Sequence, residues 1–536
     1  MSGVHTRLTP ALIAEFTHGG HWPNVTLGEV LRRQARARPA HTALVDDRVR
    51  LTYTALDRLA DRVAAGLQAH GVRPGEVVSA ILPNRAEAVV LCYAAARAGA
   101  VLNPIVPIYG AHEVRFILRQ TESVAVVVPD RFRGVDYPAL VERVRSDVPA
   151  LRSTFVVGET FPAALLPEAA PAATPSDPND VAVVLYTSGS TADPKGVLHS
   201  HNTLLAECRS TSAYHRLGAD EVLVMGSPVS HISGLLYGVL LPVVLGATSV
   251  LMAVWDPARF LDLVERERGT FSAGATPFLQ GVLDVPDLER RDLGSLRLFP
   301  CGGADVPPEL IRQAMRRLGV RSGRGYGSTE FPSITSAAGP DVPEPKRAET
   351  DGAPVGDNVI ELRDERGRPV PANAEGEIWA RGPELCLGYR DPALTAEAFD
   401  PQGFFRTGDL GVLDADGFLT ITGRVKDIIV RGGEKLAAKE IEDLLFEHPK
   451  VRAVAVIPMP DARLGERVCA VVVPADPADP PILAELVRFL EAREISRRKL
   501  PERLALVDAL PTTASGKVQK HVLRAQVAAR AREGGR

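Results

Sequence analysis

The chain has 536 residues, 45% of them apolar and 24% charged. This composition is that of an ordinary soluble globular protein, and the length exceeds what one hydrophobic core holds, so two or three packed units are expected. A net charge of −4 provides no global field for nucleic acid or an anionic membrane, and leaves room only for a local basic funnel toward a phosphate-rich ligand.

Met1–Pro10 has no apolar run of the secretory kind. The five cysteines (Cys92, Cys208, Cys301, Cys386, Cys469) show no C-x-x-C or zinc spacing, so they read as buried small hydrophobes in a reducing, cytoplasmic setting. Ala55–His70 has the period of an amphipathic helix with Thr54 as its cap, followed by the strand Val77–Leu82. Helix Ala86–Ala98 and a strand from Val101–Asn103 repeat the rhythm, as do His112–Gln120 and Val124–Val128. Strands alternating with helices at this spacing predict helix-covered, mostly parallel sheets. The Pro/Ala-rich stretch Phe161–Pro178 is expected to be a surface loop, and Val181–Leu185 a strand.

His231–Trp255 carries no Asp, Glu, Lys or Arg until past its end and is long enough to suggest a membrane span. Its glycines and Pro242 favour a buried helix over Leu235–Leu245 and a strand Ser249–Ala253 instead, with no stable membrane anchor. After Gly356, short segments at Val359–Arg363, Gly376–Arg381, Phe405–Gly408 and Phe418–Ile421 predict a small antiparallel β unit. From Lys426 a compact α/β segment follows, with helix Ala438–His448, strands Arg452–Pro458 and Val468–Val473, and helix Ile482–Glu494. The expected division is therefore 1–425, a large N-terminal α/β domain with its β unit, and 426–536, a smaller independent α/β domain.

Chemistry concentrates first in Tyr186-Thr187-Ser188-Gly189-Ser190-Thr191-Ala192-Asp193-Pro194-Lys195-Gly196, directly after a strand. Hydroxyls, backbone N–H groups and a lysine in a glycine-containing turn form a cradle for phosphate oxygens. It is not a nucleotide-triphosphatase P-loop, because Lys195 follows Pro194 and precedes Gly196. Further on stand Gly325-Tyr326-Gly327-Ser328-Thr329-Glu330, Thr407-Gly408-Asp409-Leu410, Gly423-Arg424-Val425-Lys426-Asp427, and Pro511-Thr512-Thr513-Ala514-Ser515-Gly516-Lys517. These five segments, in this order from Leu185 to Lys517, resemble the motifs of adenylate-forming enzymes: acyl- and aryl-CoA synthetases, peptide-synthetase adenylation domains and luciferases.

The resemblance implies ATP, Mg²⁺ and coenzyme A as cofactors and a carboxylic acid as substrate. Thr187, Ser188, Gly189, Ser190, Thr191 and Lys195 would form the phosphate loop. Gly303, Ala304 and Asp305 would pack on adenine with Gly325, Tyr326, Gly327 and Ser328, and Asp409, Ile421 and Arg424 would hold the ribose. Thr329 would meet the α-phosphate, Glu330 the metal, and Lys517 would be the catalytic cation of adenylation. Lys426 would be the hinge on which the C-terminal domain swings, bringing Arg431, Gly432 and Gly433 to a pantetheine arm. His231, Gly274, Phe278, Gly302 and Gly327 would line the acid pocket, His231 beside the carboxylate. His199 and His201 are expected merely to open the helix after the phosphate loop.

Ala192 stands where the family usually has Gly, Ser190 where it has Thr, and Lys435 and Ala438 where Asn and Pro are common. Asn103–Tyr109 and Gly423–Glu434 resemble the bacterial medium-chain and alicyclic acid branch. The expected acid is lipophilic, with small residues such as Gly234, Gly274 and Gly302 hinting at room for a bulky one. The expected product is an acyl-CoA thioester, with a carrier-protein thiol or another nucleophile as the alternative acceptor, in a monomer or homodimer.

Overall fold

The computed structural model describes residues 6–168, 171, 172, 174, 176–187, 194–431, 434–461, 463–513 and 516–533. The strand–helix rhythm builds a seven-stranded sheet in the order Gly388–Tyr389, Lys195–Ser200, Val181–Thr187, Val101–Pro104, Val77–Ala80, Ala125–Pro129, Ser153–Val157. The last five strands run parallel to one another; Lys195–Ser200 is antiparallel to them, and Gly388–Tyr389, antiparallel to Lys195–Ser200, runs in the direction of the five. Val77–Ala80 and Ala125–Pro129 are buried along their whole length, as central parallel strands covered on both faces must be. A second sheet sets Val222–Met225, Thr248–Leu251 and Thr42–Val45 parallel. A bridge at Phe271 links it to the parallel pair Leu298–Gly302 and Arg321–Tyr326. Helix Ala86–Arg97 is buried on nearly every side, and one apolar cluster joins it to strands of both sheets.

Three local departures from the sequence expectation have clear causes. The first long helix starts at Tyr53, because the Thr52 hydroxyl, not that of Thr54, accepts from the Ala55 amide at 3.2 Å. The Pro/Ala-rich loop is pinned by a short turn, Ala163–Leu165, whose Leu165 is wholly buried against Gly66. The buried helical segment after His231 is not uniform: Leu236–Leu240 forms a π turn between helical Ile232–Leu235 and Leu241–Leu245. Pro242 has no N–H for the Gly238 carbonyl four residues back. The Ser249 hydroxyl donates to that oxygen instead, at 2.6 Å. Among the described residues no helix is long and apolar enough to cross a membrane.

The antiparallel unit is a four-stranded sheet of Val359–Arg363, Glu375–Arg381, Phe405–Leu413 and Leu419–Arg424 in that order. The C-terminal part pairs Ile429–Arg431, Glu434–Leu436, Val451–Asp461 and Gly465–Pro474, with Arg503–Leu506 parallel to the last. Helices Ala438–Phe446 and Leu483–Glu491 close its own apolar core. All five cysteines are buried.

Candidate active site

A cavity of about 1270 Å³ lies between the N-terminal body and the C-terminal part. Its floor is made where parallel strands end, the usual ligand position of open α/β sheets. Leu298–Gly302 delivers Gly302–Asp305, and Arg321–Tyr326 delivers Tyr326–Glu330. A Cβ at Gly302 would stand 2.4 Å from the Gly325 carbonyl oxygen, and one at Gly234 would stand 2.0 Å from that of Pro228. These glycines serve backbone approach and do not create room for a bulky acid.

Asp409 is held from two sides. The Tyr326 hydroxyl donates to Oδ2 at 2.7 Å and Arg424 Nε to Oδ1 at 2.6 Å. Burial, and then the Asp409 charge, push the Tyr326 phenol well above its ordinary value, so it stays a neutral donor. The Ile421 amide donates at 2.8 Å to Asp351, which pairs in turn with the buried Arg324 at 2.7 Å. Two oxygens of Asp409 fixed at one wall suit a ligand bearing adjacent hydroxyls.

Thr329 and Glu330 owe their placement to residues for which no site role was expected. His199, a fully buried member of the strand Lys195–Ser200, meets the Thr329 carbonyl through Nε2 at 2.8 Å. It does not open the following helix; His201 does. Burial lowers the pKa of His199 to about 4, so it is a neutral donor to that carbonyl. Tyr389 donates to Glu330 Oε1 at 2.7 Å and lies under the Lys195 ammonium, 5.4 Å from its ring centre. Among the described residues no three His, Cys, Asp or Glu side chains gather as a metal cage. A single cavity-wall carboxylate suits a cation such as Mg²⁺ that binds mostly phosphate oxygens and water.

The segment before His231 is tied down by Asn84, which accepts from the Val229 amide and donates to the Ser227 carbonyl, both at 2.8 Å. His231 caps the helix after it, its Nδ1 3.0 Å from the Ser233 hydroxyl. Protein surrounds the ring even where it borders the cavity, and this burial lowers its pKa to about 4.

Lys517 enters from the opposite side. Its amide donates to Thr513 Oγ1 at 3.1 Å, and the Thr513 amide donates to its carbonyl at 2.8 Å. Gly516, beside it, lies close to the N-terminal body: a Cβ there would stand 3.0 Å from Pro277. The Lys517 ammonium is open to the cavity yet enclosed by protein; burial first, then Arg424, lower its pKa. Burial would raise the Asp305 carboxyl, but Lys439, Lys520, Lys517 and Arg424 hold it below its ordinary value. Lys517, Arg424, Lys439 and Lys520 thus gather positive charge around Asp305 on one side of the cavity.

The cavity thus brings together Thr187, Lys195, His231, Gly274, Gly302–Asp305, Gly325–Glu330, Asp409, Ile421, Arg424, Lys426 and Lys517. Thr187 and Lys195 face each other across an antiparallel hairpin; Ser188, Gly189, Ser190 and Thr191, between them, lie outside the described residues, as do Gly432 and Gly433. Two expected residues are elsewhere. Phe278 turns away from the cavity, its ring 4.8 Å from that of Trp255. Arg431 is engaged by Glu502 at 2.9 Å, off the cavity wall. Lys426 sits in the turn Val425–Asp427 between two strands.

Residues 31–390 match the model of the AMP-binding enzyme family, and residues 440–517 that of the AMP-binding enzyme C-terminal domain. The chain is 35% identical over 525 residues to the medium-chain fatty-acid–CoA ligase of Escherichia coli strain K12, covering 96% of this chain and 92% of that protein. It is 34% identical over 527 residues to a salicylyl-CoA synthase / salicylate adenylyltransferase of a Streptomyces species, covering 95% of each. The crystal structure of the anthranilate CoA ligase AuaEII in complex with anthranoyl-AMP superimposes with a TM-score of 0.88 at 25% identity, covering 95% of this chain and 98% of that one. Matched motifs, fold and full-length similarity agree: the chain belongs to the AMP-binding, adenylate-forming enzyme family.

Proposed function

We propose that the chain activates a carboxylic acid with ATP and transfers the acyl group to coenzyme A. In the first step a carboxylate oxygen attacks the α-phosphorus, the bond from that phosphorus to the bridging oxygen breaks, and pyrophosphate leaves. Two anions must meet, so the barrier is largely electrostatic and fixed positive charge lowers it. Lys517 supplies that charge from the C-terminal side. Thr329, with its backbone fixed by His199, faces the α-phosphate, and Asp409, braced by Tyr326 and Arg424, accepts from the ribose hydroxyls. Thr187 and Lys195 flank the phosphates at the hairpin mouth, and neutral His231 orients the carboxylate. Mg²⁺, held by Glu330 and the nucleotide, would neutralise phosphate charge.

In the second step a thiolate attacks the acyl carbon, the bond to the phosphate oxygen breaks, and AMP leaves. We place the boundary at Lys426, with 1–425 binding ATP and acid and 426–536 carrying Lys517 on a mobile unit. A carrier-protein thiol is the alternative acceptor; the similarity to an enzyme named both CoA synthase and adenylyltransferase supports keeping it.

The observation that carries the reading is that Lys517, from the C-terminal part, lines one cavity with Asp409, Thr329, Glu330 and His231. It is tested by pyrophosphate release with Mg-ATP across aliphatic, alicyclic and aromatic acids, with and without coenzyme A. Acid-dependent release accelerated by coenzyme A is expected. Release indifferent to coenzyme A would transfer the reading to a protein-borne thiol, and silence across the panel would overturn it.

A further inference from the structure

One part of the cavity wall has no task in the adenylation chemistry. Along the helical segment from His231, about 9 Å further at helical rise, the wall is formed by Leu236, Tyr237, Phe271 and Ala273, with Thr211 and Ser333 beside them. Leu236, Phe271 and Ala273 are apolar, whereas the three hydroxyls form a directed chain. The Ser333 hydroxyl donates to Glu207 Oε1 at 2.6 Å, and that of Thr211 donates to the same oxygen at 2.8 Å. Tyr237 and Ser333 pair at 3.0 Å. A serine has one proton, and that of Ser333 is committed to Glu207, so Tyr237 is the donor in this pair.

Glu207 is 1% exposed, and its Oε2 has no hydrogen-bond partner among the described residues. A second buried carboxyl, Glu384, is pushed up to about 8 by burial and by the neighbouring Glu207 charge. Burial raises Glu207 as well, but its two hydroxyl donors make it the member of the pair that keeps the charge. An ionised Glu207 draws the protons of Ser333 and Thr211 inward, and Ser333 draws that of Tyr237. Oxygen lone pairs are then what the three hydroxyls turn toward the cavity. A neutral acceptor surface of this kind rewards a ligand N–H or O–H and gives a methyl or an ether oxygen nothing.

We propose that this wall selects an acid with a lipophilic body whose far end carries a hydrogen-bond donor, an amino or hydroxyl group. The proposal rests on the adenylation reading above and names its substrate class. It is tested by ATP–pyrophosphate exchange with the full chain on matched acids, alkyl and ring-bearing in several lengths, ending in methyl, methoxy, hydroxyl or amino. In the length that fits best, the hydroxyl or amino acid is expected to exceed the methyl acid in kcat/KM by about tenfold or more. Tyr237→Phe is expected to shrink that ratio. Ser333→Ala frees the Tyr237 proton to point into the cavity and is expected to raise methoxy relative to hydroxyl, a change that a merely structural role would not produce. Methyl or methoxy acids equalling the donor acids in the native chain would overturn the proposal and leave adenylation standing. So would ratios unmoved in both variants while methyl acids still support exchange. Exchange with no acid of any series would overturn the adenylation reading and this proposal with it.

Discussion

Lys517 and His231 meet the same cavity from opposite units, and their ionisation separates their roles. The lysine's pKa lies below its ordinary 10.5, through burial and then Arg424. A lowered lysine pKa means that the ammonium is lost earlier as pH rises, so adenylation is expected to fall on the alkaline side before pH 10.5. Lys517→Arg, which keeps its charge at any such pH, is expected to move that limb upward whatever it does to the maximum. Lys517→Ala is expected to reduce pyrophosphate release by roughly 10²–10³-fold, the scale of losing one preorganised electrostatic contact. Thioester formation from supplied acyl-adenylate should remain largely intact; equal loss in both half-reactions would show that the lysine serves both. His231, lowered to about 4 by burial, is neutral at pH 7 and is expected to contribute no limb to the rate profile between pH 5 and 8. His231→Ala should slow adenylation in a normally folded protein, as far-ultraviolet circular dichroism would verify; loss of the fold would make it a core histidine.

At the scale of elements, the parallel strands were legible because both faces are buried and the sequence is correspondingly apolar, as in Val124–Val128. The antiparallel unit was legible from its Gly/Asp turns. The π turn at Leu236–Leu240 was not, since only Pro242 hints at it and the compensating donor, Ser249, comes from the next strand. Nor could spacing reveal the Glu207 chain, whose members at 207, 211, 237 and 333 meet only in the fold. The ion pair of Arg324 and Asp351 is of the same kind. It couples strand Arg321–Tyr326 to strand Leu419–Arg424 through the Ile421 amide. Arg324 is 2% exposed. Arg324→Met strands Asp351 as a buried charge and is expected to lose about 3–5 kcal/mol in urea denaturation. Adding Asp351→Asn should recover part of that; no recovery would mean that packing by the arginine, not charge, is what matters.

The whole molecule shows why five short motifs could reveal a site whose walls they do not complete. Motif residues sit where strands end or loops reach the cavity, and their order along the chain survives in the sequence; the supporting shell of His199, Tyr389 and Asp351 does not. Among the described residues, the C-terminal part meets the N-terminal body at several separate points. Arg452 reaches Asp284 at 3.2 Å, Phe446 leans on the second apolar cluster, and Gly516 lies close to Pro277. In the two-step reaction proposed above this interface must part, as interfaces between domains of one chain can. On the proposed reading the backbone would rotate at Lys426, which lies in the turn Val425–Asp427. Proline at 426 would fix φ near −65° and bias Val425 toward extended backbone, so Lys426→Pro is expected to hold the two units in one relation. If that relation is the one with Lys517 in the cavity, pyrophosphate release in a single turnover should persist while conversion of the adenylate to the thioester is lost. Overall turnover equal to that of the native chain would show that the rotation, if it occurs, takes place at another residue.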